Sequence, residues 1–276
     1  MRFGLKINQP GVEWGELLSR VRLAEELGFE GAWIFDHFEV LEDASPVSCM
    51  EAWTLLSALA ASTSRIRLGA LATGVTFRPP SILAAEAVTV DNVSGGRLDV
   101  ALGAAWNERE HRMLGLEFPG DRERTERLDE AVQRMRLLMT EDEVSFEGRY
   151  YRLERATYRP RPVQRPHPPI WIGAAGERRM IPIAARQADV WHCFAEPEEL
   201  PGKVRVLEEH AEKAGRDPSS IIRAADLPIE GSREEALRRA ETLRDLGFSY
   251  LVVPWPAAGR LRVEEFAGAI APRLAG

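Results

Sequence analysis

Apolar and polar positions follow two different periods along the chain, and segments of the two kinds alternate. Short apolar runs, typical of buried strands, are separated by longer segments in which apolar residues recur every three or four positions. Leu17, Val21 and Ala24, for example, share one face of the predicted helix 14–28. Eight apolar runs are predicted to form strands: 2–8, 31–36, 66–74, 98–103, 169–174, 188–194, 221–229 and 250–256.

This alternation predicts an α/β fold. Strands that alternate with helices pair in parallel through right-handed crossovers. Eight such units favour a closed (β/α)8 TIM barrel over an open doubly wound sheet, which rarely needs eight strands in one run. Because a barrel of this kind commonly uses ~250 residues as one domain, we expect a single domain over residues 1–276.

The interval between the fourth and fifth predicted strands, residues 104–168, is longer than the others. It contains a charged helix at about 121–140, a hairpin at 144–153 and a Pro-rich connector at 158–169. Intervals this long are usually functional or have structure of their own. We therefore predict an insertion that packs over the barrel mouth and covers a bound ligand; a surface excursion without function is the alternative.

Charge and composition exclude several classes of function. The 36 Lys and Arg against 43 Asp and Glu give a net charge of −7, which argues against a nucleic-acid partner. No segment approaches the ~18 consecutive apolar residues of a membrane span, and the opening MRFGLKINQP has no signal-peptide core. We expect a cytoplasmic protein without membrane contact. Cys49, Cys193 and the five histidines lack metal-ligand spacing, so we expect reduced cysteines and no metal.

Candidate chemistry lies at the carboxyl ends of the predicted strands, where barrel active sites form. The pair Asp36-His37 stands out, because a His at a strand end can donate a proton or a hydrogen bond to a substrate. Capping of the following loop is the structural alternative. Trp106 and Trp255 are candidate walls for an aromatic ligand. The turn 173–176 follows a strand and precedes a helix predicted from about Glu177, so its amides could bind an anion.

These residues lie in four stretches that carry a family resemblance. They are GFEGAWIFDHF (28–38), EAWTLLSALAASTSRIRLGALATGVTFRPPSILA (51–84), SGGRLDVALGAAWNEREHRMLG (94–115) and RPHPPIWIGAAGERR (165–179). In them the chain resembles the bacterial luciferase-like family (the LLM class) of flavin- and deazaflavin-dependent oxidoreductases, and most of all its coenzyme F420-dependent branch. The resemblance covers most of residues 1–194, and the last third matches only by pattern.

The resemblance implies roles for individual residues. His37 would point at the reactive face of the cofactor ring, and His37 and Asp36 are the implied catalytic residues. The Asp36 carboxylate could orient the imidazole. Gly74-Val75 would form a strand bulge, often a non-prolyl cis peptide behind the ring. The implied cofactor-binding residues are Asn8, Thr73, Gly74, Val75, Ala104, Ala105, Trp106, Asn107, Gly173, Ala174, Ala175, Gly176, Glu177 and Arg178. No role is assigned to His192, Cys193, Asp226 or Trp255.

Three functions follow from this resemblance. The first is hydride transfer between coenzyme F420 and a small organic substrate, with the protein orienting the cofactor. The second is an FMN-dependent monooxygenase that uses reduced flavin and oxygen. The third is a catalytically silent flavin-binding or dimer-partner protein, against which the Asp-His pair argues. The expected partners are the small-molecule substrate, a second copy of the chain in a homodimer and, where the cofactor must be reduced elsewhere, a separate reductase.

Overall fold

The computed structural model describes residues 1–39 and 47–274. Its strands are β1 (Arg2–Lys6), β2 (Gly31–Ile34), β3 (Arg67–Ala70), β4 (Thr73–Gly74), β5 (Val100–Gly103), β6 (Val144–Glu147), β7 (Arg152–Ala156), β8 (Ile170–Gly173), β9 (Val190–Cys193), β10 (Ile222–Asp226) and β11 (Phe248–Pro254). Its α-helices are α1 (Trp14–Glu26), α2 (Ala52–Ser62), α3 (Pro80–Ser94), α4 (Glu108–Met113), α5 (Asp121–Thr140), α6 (Met180–Gln187), α7 (Leu200–Lys213), α8 (Arg233–Asp245), α9 (Arg260–Glu265) and α10 (Ala271–Leu274). A 3-10 turn spans Pro218–Ser220 and a π-helical segment spans Phe266–Ile270.

The parallel strands form a closed barrel. Their order is β3-β2-β1-β11-β10-β9-β8-β5-β4. The sheet closes where the Leu68 amide donates to the Arg97 carbonyl and the Asp99 amide donates to the Leu68 carbonyl, both at 2.9 Å. Because β3 and β4 are the two halves of the predicted strand 66–74, the nine strands occupy eight positions around the barrel. The predicted (β/α)8 fold is confirmed.

The barrel interior is filled by large aromatic side chains. The Trp33 ring lies 4.5 Å from the Trp171 ring, centroid to centroid, and its Nε1 donates to the Tyr250 hydroxyl at 3.2 Å. Glycine at position 69 makes room for this ring, since a Cβ there would lie 2.4 Å from a Trp33 ring carbon. The packed interior leaves a ligand only the ends of the barrel.

A buried ion pair closes the amino-terminal end of the barrel. Arg67 donates to both carboxylate oxygens of Asp99, at 2.7 and 2.9 Å, and also to the Gln164 amide oxygen at 3.0 Å. Trp171 Nε1 donates to Asp99 at 3.3 Å. Burial raises the pKa of Asp99, and the Arg67 hydrogen bonds oppose that rise. Every polar atom of this carboxylate therefore has a protein partner.

The insertion lies only partly at the mouth. Helix α4 and the first turn of α5 lie there, and α5 then packs against α3 on its way to the other end of the barrel. The connector 158–169 reaches that amino-terminal end, where Asp91 accepts the amides of Val163 and Gln164 at 2.6 and 3.0 Å. From the insertion, the residues that line the cavity are Ala104, Ala105, Trp106, Asp121, Arg124 and Thr125. The rest of α5 and the connector 158–169 lie away from the mouth, so the prediction that the whole insertion packs over it is wrong. The reason is that α5 is itself the crossover helix, which must return to the amino-terminal end before β8 begins.

Candidate active site

A cavity of about 750 Å³ opens at the carboxyl ends of the barrel strands. This volume suits a ligand of cofactor size. The predicted site residues that line it are Asn8, His37, Gly74, Ala104, Ala105, Trp106, Gly173, Gly176, Glu177 and Arg178. The lining residues that the sequence analysis missed are Lys6, Phe35, Leu71, Ala72, Phe77, Gly103, Asp121, Arg124, Thr125, Arg179, Met180 and Phe194.

His37 is held by a carboxylate that the sequence analysis did not find. Its Nδ1 lies 2.8 Å from Oε2 of Glu110, a fully buried residue of α4. The other Glu110 oxygen accepts the Phe38 amide, so both carboxylate oxygens are occupied. Within residues 1–39 and 47–274, no protein atom makes a hydrogen bond with His37 Nε2. Since His37 lines the cavity, Nε2 is the ring nitrogen available to a ligand.

Glu110 reaches His37 because α4 begins at a capped position. The Asn107 side chain accepts the Glu110 amide at 3.3 Å and starts the helix three residues earlier. Asn107 therefore positions the carboxylate, and it does not line the cavity as predicted. Sequence reasoning could have found the cap, but not that this turn of helix packs against the end of β2.

Asp36 pairs with Arg78 and not with His37. Arg78 donates to the two Asp36 oxygens at 2.6 and 3.1 Å, and to Glu51 at 3.0 Å. Burial raises the pKa of Asp36, and the Arg78 hydrogen bonds oppose that rise. The expected orientation of the imidazole by Asp36 is thus supplied by Glu110, while Asp36 anchors the loop that carries Arg78.

Four further predicted residues lie behind the cavity surface. Thr73 is fully buried and accepts the Trp53 indole N–H at 3.1 Å. Val75 belongs to the hydrophobic core. Ala174 donates its amide to the His192 carbonyl at 2.9 Å within the sheet, and Ala175 does not line the cavity. The side chains of these residues shape the strand ends without lining the cavity.

The bulge of the third predicted strand lies earlier than the resemblance implied. The non-prolyl cis peptide is Leu71-Ala72, where β3 ends, and the expected position Gly74-Val75 is not cis. Gly74 lines the cavity beside Phe77 and Ala105. A Cβ at position 74 would lie 2.9 Å from the Phe77 ring and 3.3 Å from the Ala105 Cβ, so only glycine fits there without displacement.

Small residues and one exposed aromatic ring form the wall after β5. Ala105 has a φ of +60°, a left-handed conformation that costs an alanine about 1 kcal/mol or more. Such strain concentrates where a backbone must meet a ligand closely. Trp106 is 61% exposed, and its ring lies 5.8 Å from that of His37. This segment leaves space for a flat ring between the backbone and His37.

The turn after β8 carries free backbone donors. Within the described chain, the amides of residues 175–178 donate to no protein atom. Helix α6 begins at Met180 and not near Glu177 as predicted, because the chain first makes a wide turn in which the Ile181 amide donates to the Gly176 carbonyl at 3.0 Å. Unpartnered amides at a helix entrance bind anions, so the predicted anion site keeps its donors despite the later helix start.

Basic side chains surround this turn. Arg178 and Arg179 are exposed and line the cavity. Lys203, which sequence reasoning missed, is buried beneath the turn and donates to the Ala175 carbonyl at 3.0 Å. Its Nζ also lies 3.5 Å from the Glu177 carboxylate. Lys203 thereby stabilises the shape of the turn, while the two arginines supply positive charge.

The residues to which the sequence analysis assigned no role lie on different faces of the barrel. His192 faces the interior and its Nε2 lies 3.1 Å from Asp226. Cys193 faces outward into the core, and Cys49 is only half-buried. Trp255 packs against Arg20, 4.5 Å from its guanidinium carbon, and does not line the cavity, so it is not the expected wall.

Alternation along a strand could have revealed two of the missed residues. Lys6 lies two positions before Asn8, and Phe194 two positions after His192, so each pair shares one face of its strand. The α5 residues Arg124 and Thr125 gave no such signal, because they reach the cavity through the docking of a distant helix.

Two classes of feature are missing from the part of the chain that the structure describes. No helix there is long and apolar enough to cross a bilayer. The same residues contain no group of three or more His, Cys, Asp or Glu side chains arranged to hold a metal ion.

Several known proteins are similar to this chain in sequence and in fold. The profile of the luciferase-like monooxygenase family matches residues 1–265. An F420-dependent glucose-6-phosphate dehydrogenase from Kineococcus radiotolerans is 32% identical over 86% of this chain and 70% of its own length. The pyrimidine monooxygenase RutA from Cronobacter sakazakii is 35% identical over 68% of this chain and 56% of its own length.

The fold is also that of a solved F420 enzyme. The structure of an F420-dependent secondary alcohol dehydrogenase in complex with an F420-acetone adduct has a TM-score of 0.89 to this chain at 20% identity, and the match covers 99% of this chain and 98% of the other. The resemblance recognised in the four sequence stretches is thereby confirmed. Since the family match spans nearly the whole sequence, the chain belongs to the luciferase-like monooxygenase family.

Proposed function

We propose that this protein is an oxidoreductase that transfers a hydride between coenzyme F420 and a small organic substrate. The observation that carries the proposal is the buried Glu110 carboxylate 2.8 Å from His37 Nδ1, with Nε2 facing the cavity. Hydride transfer to a carbonyl adds a proton to its oxygen, and hydride transfer from an alcohol removes the proton of its hydroxyl; a positioned imidazole can carry that proton. This pair also argues for an active enzyme over a silent binding protein.

The tautomer of His37 follows from its partner. Glu110 accepts at Nδ1, so the hydrogen of a neutral imidazole stays on Nδ1 and Nε2 is left to exchange a proton with the substrate. The Phe35, Phe77 and Trp106 rings lie 5.2, 6.3 and 5.8 Å from the imidazole and fix its plane. His37 is therefore a catalytic residue in this proposal, and Glu110 is a positioning residue.

The cavity fits a ring with a phosphate-bearing tail. Gly74, Ala104 and Ala105 leave a flat space beside His37. The free amides of residues 175–178, with Arg178 and Arg179, would hold the phosphate. When bound, the deazaflavin supplies a ring carbon that accepts or gives the hydride. His37 would lie beside that ring, and residues 175–178 with Arg178 and Arg179 would hold the phosphate.

The FMN-dependent monooxygenase remains the second candidate, because the similarity to a pyrimidine monooxygenase supports it alongside the similarity to an F420 enzyme. The same amides and arginines would hold the FMN phosphate. This alternative needs reduced flavin, and a separate reductase would then be the expected partner.

A binding titration separates the two cofactors. The purified protein is titrated with F420, FMN and FAD, and quenching of tryptophan fluorescence is recorded, since Trp106 lines the cavity. We expect F420 to bind more tightly than FMN. If FMN binds at least as tightly and F420 gives no signal, the monooxygenase proposal replaces the first. A Trp106→Phe variant shows how much of the quenching arises at the cavity.

A further inference from the structure

A second set of charged residues lies at the mouth, apart from His37 and Glu110. Lys6 ends β1, Asp226 ends β10 and His192 lies on β9, all facing the barrel interior. The fully buried His192 makes a 3.1 Å hydrogen bond from Nε2 to one Asp226 oxygen. The other Asp226 oxygen lies 3.9 Å from Lys6 Nζ. Of the three residues only Lys6 lines the cavity, while the Asp226 side chain is 30% exposed beside it and His192 is fully buried.

The Lys6 ammonium has donors that the protein leaves unused. Its distance to Asp226 is too long for a hydrogen bond, and no other described atom accepts one from Nζ. An ammonium has three N–H donors, and the Lys6 side chain is 20% exposed, so these donors can be reached only over a small part of its surface. The Phe194 ring, 5.9 Å from Nζ, covers one side. The free donors therefore face the cavity.

Asp226 and His192 place a negative charge beside this ammonium. Burial alone would raise the pKa of Asp226, but the His192 hydrogen bond and the charges of His192 and Lys6 outweigh it and lower the pKa. The ionised Asp226 carboxylate attracts the Lys6 ammonium and so holds it in place. Among the described residues, no atom makes a hydrogen bond with the buried Nδ1 of His192, so this imidazole contacts Asp226 alone through a hydrogen bond.

The position of Lys6 in the barrel indicates what it can bind. β1 is the neighbour of β2, whose end carries His37, and it lies four positions from β8, whose end carries the anion-binding turn. The strand that carries Lys6 is thus opposite the strand that leads to the phosphate-binding amides of residues 175–178. The Lys6 ammonium itself lies toward β9 and β10, 3.9 Å from Asp226 and 5.9 Å from the Phe194 ring, and it lines the cavity there.

We propose that Lys6 is a specificity-determining residue that binds a carboxylate of the substrate in this cavity, with Asp226 and His192 as positioning residues. A single ammonium beside the Phe194 ring matches one carboxylate, whereas a phosphate dianion would need more donors than one ammonium offers. The inference rests on the proposed function, since it names the substrate class of the same site.

Benzoate and benzamide are suitable probes, because they share a shape and differ in charge. Each is titrated into the cofactor-loaded protein, and binding is read from the absorbance of the cofactor ring. We expect the wild type to bind benzoate more tightly than benzamide. Lys6→Met and Lys6→Gln should each weaken benzoate binding by about tenfold or more and leave benzamide unaffected, whereas Lys6→Arg retains the preference.

Two results would overturn the inference. A wild type that binds both probes equally, or neither, overturns the inference. So does a loss of cofactor affinity in Lys6→Gln as large as its loss of benzoate affinity, because the ammonium would then serve the cofactor. If neither F420 nor FMN binds the wild type, the proposed function fails separately, and the same probe pair, followed by tryptophan fluorescence without cofactor, still tests Lys6.

Discussion

The two ends of the barrel each hold a buried carboxylate with a basic partner, and they differ in what is left unpaired. At the amino-terminal end, Asp99 accepts hydrogen bonds from Arg67 and Trp171, and Arg67 also donates one to Gln164. At the mouth, Glu110 is equally satisfied, but its partner His37 keeps Nε2 free toward a cavity. One network is complete within the protein, and the other lacks one partner.

This difference shows how the fold separates stability from chemistry. Complete polar networks in a buried place contribute to a single native state. Three sets of unused polar groups, His37 Nε2, the Lys6 ammonium and the amides of 175–178, lie at the carboxyl ends of strands. The strained Ala105 backbone lies there as well. A ligand supplies what these groups lack, so substitutions at the two ends should have different consequences.

The largest effect is expected at His37. His37→Ala should lower turnover by about 10²- to 10⁴-fold, because a positioned acid or base is removed from the substrate. Melting temperature and cofactor affinity should stay near those of the wild type. Single-turnover rates, thermal unfolding and a cofactor titration on the same protein measure all three.

Glu110→Gln is the matched variant for this test. It keeps the shape of the side chain and removes the charge, so we expect a smaller loss of turnover than in His37→Ala. If His37→Ala melts and turns over as the wild type does, His37 has no part in the mechanism.

The second effect is a loss of stability, expected from a substitution at the amino-terminal end of the barrel. Asp99→Ala leaves the Arg67 charge without its partner and should lower the free energy of unfolding by about 3 kcal/mol. Urea unfolding measures this loss. The double variant Asp99→Leu, Arg67→Met should recover part of it, because neither charge is then buried. Cofactor affinity of the folded protein should not change, and a large change would contradict the separation of the two ends.

The third effect is expected at Asp36, where a substitution tests whether this carboxylate at the mouth is structural or catalytic. Asp36→Asn weakens the two hydrogen bonds from Arg78, which keeps its contact with Glu51. We expect the free energy of unfolding to fall by about 2 kcal/mol and the turnover of the folded fraction to stay unchanged. A loss of turnover comparable to that of His37→Ala, at unchanged stability, would return Asp36 to the mechanism.

The smallest effect is expected at the anion-binding turn. Gly176→Phe should weaken cofactor binding by about tenfold, because the larger side chain obstructs the amides beside it. A Cβ at position 176 would come no nearer than 3.8 Å to Met180, so the melting temperature should hold. Gly268→Phe is the control, since a Cβ there meets no atom within 4 Å and the residue lies outside the cavity. Equal affinities for the two variants would place the phosphate elsewhere.

Local patterns were sufficient for the architecture. All eight predicted strands correspond to barrel positions, and the helix predicted at about 121–140 is α5, Asp121–Thr140. Both follow from the alternation of apolar and polar residues, which is set by which face of each element is buried. The ends of the predicted strands likewise placed His37, Gly74 and Trp106 at the mouth.

Tertiary structure alone decided which groups meet. Asp36 is the sequence neighbour of His37, yet Glu110, 73 positions away, holds the imidazole, because successive residues at a strand end point to opposite faces and only the docking of α4 brings the second carboxylate near. Lys6, Asp226 and His192 come together for the same reason, since parallel strands distant in sequence end at one rim. Sequence by itself determined the barrel, the family and one catalytic candidate. The partners of that candidate depended on contacts between distant segments, which no local period encodes.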